Sequence, residues 1–119
     1  MAEHNELGKK GEQLAVDFLL DKGYVIVEKN YRFQKAEIDI IAQKETVLAV
    51  VEVKTRSTNY FGNPEEFVNP KKIKLLTMAI DDYVIKNDLD VEVRFDIIAV
   101  LALNGKFEIE HIEDAFLSF

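Results

Sequence analysis

Hydrophobic residues recur along this chain with two different periods, and the switches between them mark out its elements. Leu7, Leu14, Ala15, Phe18 and Leu19 fall at helical spacing. Asn5 is placed to cap that helix, and Gly23 to follow its end. "YVIVEKNYRF" (24–33), "AEIDIIA" (36–42) and "TVLAVVEVK" (46–54) are dense in β-branched and aromatic residues. They predict three strands, the last two joined as a hairpin by the short polar "QKE". Gly62 and Pro64, set among polar groups, predict a loop over 55–68.

Asn69-Pro70 then offers an N-cap with proline at the first helical position. Ile73, Leu76, Ile80, Tyr83 and Val84 supply the apolar stripe of a second helix, ending near Asn87. "VEVRFDIIAVLAL" (91–103) is nearly unbroken, which fits a strand buried on both faces. Asn104-Gly105 turns the chain into "KFEIEHI", an edge strand. The order is helix, three strands, helix, two strands. It predicts an α/β sandwich with a mixed sheet whose parallel connection runs across the second helix. At 119 residues, with no repeat or linker-like tract, the chain reads as one domain over 1–119.

Three charged residues interrupt this apolar pattern. Side chains alternate along a strand, so Glu52 and Lys54 share a face, while Val51 and Val53 point the other way. On the preceding strand Glu37, Asp39 and Ile41 share one face and Ile38, Ile40 and Ala42 the other. Pairing the two strands as a hairpin brings Asp39 beside Glu52. Two carboxylates so placed repel unless a cation lies between them, and burial worsens the cost. Mg²⁺ suits such a pair, since it takes carboxylate oxygens in an octahedral shell and keeps several waters. A Glu-x-Lys pair alone is usually just the polar face of a sheet, and Asp39 alone could be a hydrogen-bonded structural aspartate.

Glu12 adds a third acid, one residue past "GKKG" (8–11) on the first helix. Gly8 and Gly11 each cost such a helix up to about 1 kcal/mol relative to alanine, so close approach by a strand or a ligand is the expected compensation. An ordinary helix-surface role for Glu12 is the plain alternative.

Composition narrows the chemistry. There is no cysteine, which removes disulfides, thiolate metal sites and cysteine nucleophiles. His4 and His111 lie far apart in sequence, so a zinc site would lack its usual ligands. The start "MAEHNELGKKGE" holds no apolar signal core, and no run approaches the ~20 apolar residues of a membrane span. The expectation is a soluble, cytoplasmic protein. The net charge of −7 speaks against nucleic acid, but its distribution is uneven. Residues 1–51 carry a net −2, residues 52–80 a net +2, and residues 81–119 a net −7.

The motifs "G-x-x-G-E" (8–12), "G-Y" (23–24), "N-Y-R" (30–32), "E-I-D-I-I-A" (37–42), "V-E-V-K-T-R" (51–56), "F-G" (61–62), "V-x-P-K-K" (68–72) and "R-F-D" (94–96) follow in that order. Together they resemble the YraN-type family of small bacterial endonuclease-like proteins, within the PD-(D/E)XK nuclease superfamily and close to Holliday-junction resolvases. The glycine usual before Glu37 is Ala36 here.

The resemblance implies a restriction-endonuclease-like αβββαβ core, in agreement with the element order. It implies metal-assisted hydrolysis of DNA phosphodiesters, branched or junction DNA included. Asp39 and Glu52 would hold Mg²⁺ or Mn²⁺, with the Val53 main-chain carbonyl as a further ligand and Glu12 as the additional helix acid. Lys54 would orient the attacking water. Arg56, Lys71, Lys72 and Lys74 would engage flanking phosphates, with loop 55–68 closing over the substrate. Arg94 and Asp96 fit an ion pair that supports the sheet. A symmetric junction would call for a homodimer. Two rivals remain at this point: a non-catalytic DNA- or protein-binding module on the same fold, and a structural domain with a buried ion-pair network.

Overall fold

A computed structural model describes residues 2–57 and 68–116, with the side chains of 2–5 set aside. Its element order is α1 (Ala2–Asp21), β1 (Val25–Phe33), β2 (Ala36–Lys44), β3 (Val47–Arg56), α2 (Pro70–Lys86), β4 (Glu92–Leu103) and β5 (Lys106–Ile112). α1 begins three residues before Asn5, which therefore lies inside the helix and does not cap it. Ala2 and Glu3 are strong helix formers, and they extend the helix past the polar residue. Gly23 does follow its end, at φ +95, a conformation glycine adopts without steric cost. Asn69 caps α2 as its place before Pro70 predicts: its side chain accepts the Lys72 N–H at 2.8 Å.

Among the described residues the strands form one sheet in the order β1-β2-β3-β4-β5. β3 and β4 are parallel, joined across α2, and the other neighbours are antiparallel. Asn104 and Gly105, at φ +52 and +73, make the tight turn into the edge strand β5. β3 runs on to Arg56, beyond the expected end at Lys54, because its parallel ladder with β4 continues to Arg56↔Leu101. The expected loop lies, for residues 58–67, outside the described residues.

One helix covers each face. Ala15, Val16 and Leu19 of α1 pack on Ile40, Ala42, Ala49, Val51, Ile98 and Val100. Ile73, Leu76, Ala79 and Ile80 of α2 pack on Ile38, Ile41, Leu48, Val50, Phe95 and Ile97. β4 is buried continuously from Phe95 to Val100, on both faces as its apolar run predicts. The result is an α/β fold with a five-stranded mixed sheet flanked by helices, consistent with a restriction-endonuclease-like core. No helix among the described residues is long and apolar enough to cross a membrane.

Candidate functional site

The ladder between β2 and β3 runs from Lys44↔Val47 to Ile40↔Val51 and stops, although both strands continue. One further step of that register sets Asp39 opposite Glu52. Instead of a backbone pair there, the Asp39 carboxylate accepts the Val53 N–H at 2.9 Å. The ladder with β1 skips Asp39 as well. Its pairs Lys29↔Ile40 and Tyr31↔Ile38 flank a gap, with Asn30 at φ +53 across from Asp39.

Strict alternation is lost at this point. Ile38 joins the α2-side cluster together with Ile41, while Ile40 and Ala42 lie on the α1 side. The expectation that Ile38 shares a face with Ile40 therefore fails, and it fails where both ladders skip Asp39.

Glu52 is 4 % exposed, so its charge is nearly removed from water. Lys72, at the head of α2, hydrogen-bonds Glu52 Oε2, and Lys54 Nζ lies 3.6 Å from the same oxygen. Burial, followed by the Glu52 carboxylate, pushes the Asp39 carboxyl up to about 7; the Val53 amide and the Lys72 ammonium act against that rise. Burial and the Glu37 carboxylate also push the Glu12 carboxyl up, while a hydrogen bond with Asn30 opposes them. The Glu12 carboxylate adds to the rise at Asp39, and the Glu52 carboxylate adds to the rise at Glu12.

The sequence-derived site residues thus separate into groups. Asp39, Glu52 and Lys54 come together, and Glu12 lies within their electrostatic reach. Val53 contributes its N–H here, to Asp39. Lys72, expected at a flanking phosphate, is instead a partner of Glu52. Lys71 and Lys74 are exposed on α2, and Arg56 is exposed at the end of β3 with its guanidinium on the Thr55 carbonyl at 3.1 Å.

Asn30 was missed as a site residue. An asparagine inside a run of strand formers was the available signal, since asparagine is among the residues that tolerate positive φ.

Gly11 explains how α1 reaches this region. A Cβ at Gly11 would collide with the Thr55 hydroxyl of β3 and stand 3.0 Å from Thr55 Cβ and Cγ2. The helix can press against β3 only without that side chain, and the next residue is Glu12. Gly8 has open space around it and needs no such approach.

Among the described residues no three His, Asp or Glu side chains converge as a ready metal cage. The donor set nonetheless fits Mg²⁺, which commonly binds through one or two carboxylates and completes its shell with water and substrate phosphate. The Lys72 ammonium already occupies the place of a counter-charge at Glu52.

A second charged cluster lies apart from these acids, on the α1 side. Arg94 grips Asp96 with two bonds of 2.9 and 2.8 Å, and Asp96 also receives His111 Nε2 at 2.8 Å and the Asp114 N–H at 3.0 Å. Lys22 Nζ lies 2.8 Å from His111 Nδ1; an ammonium only donates, so Nδ1 accepts and Nε2–H is left for Asp96. Burial pushes the Asp96 carboxyl up, but these hydrogen bonds prevail and hold it below the usual carboxylate range. With its partners satisfied, this cluster braces β4 against β5 and α1, the ion-pair support expected of Arg94 and Asp96.

The fold and these acids define a class: an α/β protein whose mixed sheet presents two carboxylates and a lysine where adjoining strands part. The sequence matches the uncharacterised protein family UPF0102 over residues 11–100, and the chain belongs to that family. A UPF0102 protein of Flavobacterium psychrophilum is 64% identical over 119 residues, covering 100% of both chains. Another, of Christiangramia forsetii, is 60% identical over the same length and coverage. One of Bacteroides thetaiotaomicron is 53% identical over 116 residues, 98% of this chain and 96% of its own. The YraN-type resemblance read from the motifs is to this family.

Proposed function

We propose that this protein is a Mg²⁺- or Mn²⁺-dependent endonuclease of the PD-(D/E)XK superfamily, hydrolysing phosphodiester bonds in DNA, with branched DNA among its substrates. One observation carries the reading. Asp39 and Glu52 are held side by side where a ladder ends, and burial plus that neighbouring charge pushes Asp39 to about 7. Such a pair is a liability to a metal-free fold and an asset to a cation site.

A divalent ion held there would supply a water of lowered pKa and would stabilise charge developing on phosphate. Asp39, Glu52, the Val53 carbonyl and Glu12 would hold it. Lys54 shares the Glu52 face and would orient the attacking water. Lys72, now on Glu52, would be free to pair with a substrate phosphate once Glu52 is engaged elsewhere. With a symmetric junction as substrate, the working unit would be a homodimer.

The charge order of α2 supports an anionic ligand at this end. Its first turn holds no acid, and Lys71, Lys72 and Lys74 crowd the positive end of the helix dipole. A cation placed there is unfavourable by up to about 1 kcal/mol, and local rules of this kind tend to break at functional sites. Phosphate would supply the missing counter-charge, with Arg56 contributing from β3.

The test is cleavage of branched, flapped, single-stranded and duplex DNA with Mn²⁺, beside Lys54→Ala. The wild type should cut, and the variant should lose about a hundredfold or more. Equal cleavage by the variant would refute the assignment, and DNA binding without cutting would leave the non-catalytic module. Lys72→Ala separates the two roles of that lysine. It should increase the rise in melting temperature produced by Mn²⁺, because no internal ammonium competes, while weakening DNA binding.

A further inference from the structure

Beside Asp39 a cleft of about 350 Å³ opens between the start of β2 and the head of α2. Its volume lies near the lower end of small-ligand sites, roughly 300–1,000 Å³. Ala36, Leu75 and Leu76 give it an aliphatic lining, Lys35 and Lys71 stand on it as exposed cations, and Asn69 and Glu37, the latter in an ion pair with Arg32 at 3.3 Å, complete it. Asp39 and Lys72 also line it, so the cleft runs directly from the acid pair.

This composition is specific in its demands. An anion alone would make no use of the leucines, and an apolar ligand alone would leave the lysines without partners. A flat ring attached to a phosphate satisfies both.

We propose that this cleft receives one unpaired nucleotide next to the phosphate to be cut. The inference rests on the reading of Asp39 and Glu52 as the reacting centre. It also names the substrate class: DNA with an unpaired nucleotide at the cleavage step, as in a single strand, a flap or a frayed branch point. A base inside an intact duplex is stacked and paired, and it must be extruded before it can enter a pocket of this size. Extrusion is easiest where pairing is already lost. The aliphatic lining supports the ring without reading its edge, so the cleft favours unpaired nucleotides over a particular sequence. The lysines grip the flanking phosphate.

The test begins without metal. Thymidine monophosphate added to the full chain in chelator should shift the amide resonances of residues 35, 36, 71 and 75. Inorganic phosphate should bind about tenfold more weakly or worse. Leu75→Glu, and separately the exposed pair Lys35→Ala/Lys71→Ala, should each weaken nucleotide binding by about tenfold. The lysine pair keeps the test valid if Leu75→Glu fails to fold.

With Mn²⁺, a duplex carrying one unpaired thymine should be cut about tenfold faster than its fully paired counterpart, and Leu75→Glu should erase the difference. Phosphate binding as tightly as the nucleotide, or shifts confined to other residues, would overturn the proposal. The two readings fail separately. If no DNA is cut but the lysine double variant still weakens nucleotide binding as expected, the hydrolytic reading falls and the pocket stands. If cutting depends on Lys54 yet ignores Leu75, the pocket falls and the hydrolytic reading stands.

Discussion

In metal-free buffer the protein should lose stability as pH rises from about 4 to 8, and Asp39→Asn should remove most of that loss. The carboxyl titrates near 3.8 in the unfolded chain and near 7 in the folded one. Between those values the folded state holds a proton that the unfolded state has released, so raising the pH opposes folding. The stabilisation is fully present below pH 3.8 and is lost as pH climbs through 7. Its size is on the order of 2–4 kcal/mol. Asparagine keeps an oxygen for the Val53 N–H and carries no charge. It should therefore stabilise the fold at pH 8 by about 2 kcal/mol and change little at about pH 4.

Urea denaturation of both proteins at the two pH values measures this directly. The comparison matters because Asp96 contributes with the opposite sign: its depressed carboxyl stabilises the fold above its unfolded value and loses that effect on acidification. Subtracting the variant from the wild type leaves the Asp39 component alone. Parallel pH profiles would show that Asp39 is not under the strain assigned to it. Mg²⁺ should flatten the wild-type profile and leave the variant's unchanged.

The second large effect belongs to Gly11. Gly11→Ala forces a methyl into the Thr55 hydroxyl, and since β3 is held at Thr55 by its parallel ladder with β4, α1 has to move. Overpacking of this kind costs about 1–3 kcal/mol, more than the intrinsic helical gain of alanine over glycine. The melting temperature should drop, and Thr55→Gly in the same chain should restore most of it. Gly8→Ala is the internal control: with open space around it, it should stabilise the protein by about 0.5–1 kcal/mol. A Gly11→Ala protein as stable as the wild type would mean that α1 does not need its close seat on β3. Displacement of α1 also moves Glu12, so Mn²⁺ binding should weaken beyond what the loss of stability explains.

The element order was legible because periods of 3.6 and 2 alternate cleanly along this chain, and because Asn69-Pro70 and Asn104-Gly105 carry their geometry in their own chemistry. The α1 start was not, because Ala2 and Glu3 continue a helix that Asn5 was expected to begin. Within the site, the acid pair followed from alternation and one hairpin register. The side of Ile38 did not, since it depends on ladders that fail at Asp39, and ladder failure has no local code. Lys72 reads on the chain as one lysine among three, and its bond to Glu52 arises from how α2 crosses the sheet. The two glycines of "GKKG" look alike in sequence; only the position of Thr55 tells them apart.

The ends of α2 carry opposite charge, with Lys71, Lys72 and Lys74 at its head and Asp81, Asp82, Asp88 and Asp90 toward and beyond its tail. A polyanion drifting toward this protein meets a molecule that turns before it touches. The tail would be pushed away, and the lysine end, with the acid pair behind it, would swing round to the polyanion. For such a ligand the uneven −7 would work as an orientational filter that discards unproductive encounters. Added salt should blunt that filter within a Debye length of about 10 Å at 0.1 M, slowing capture more than it speeds release.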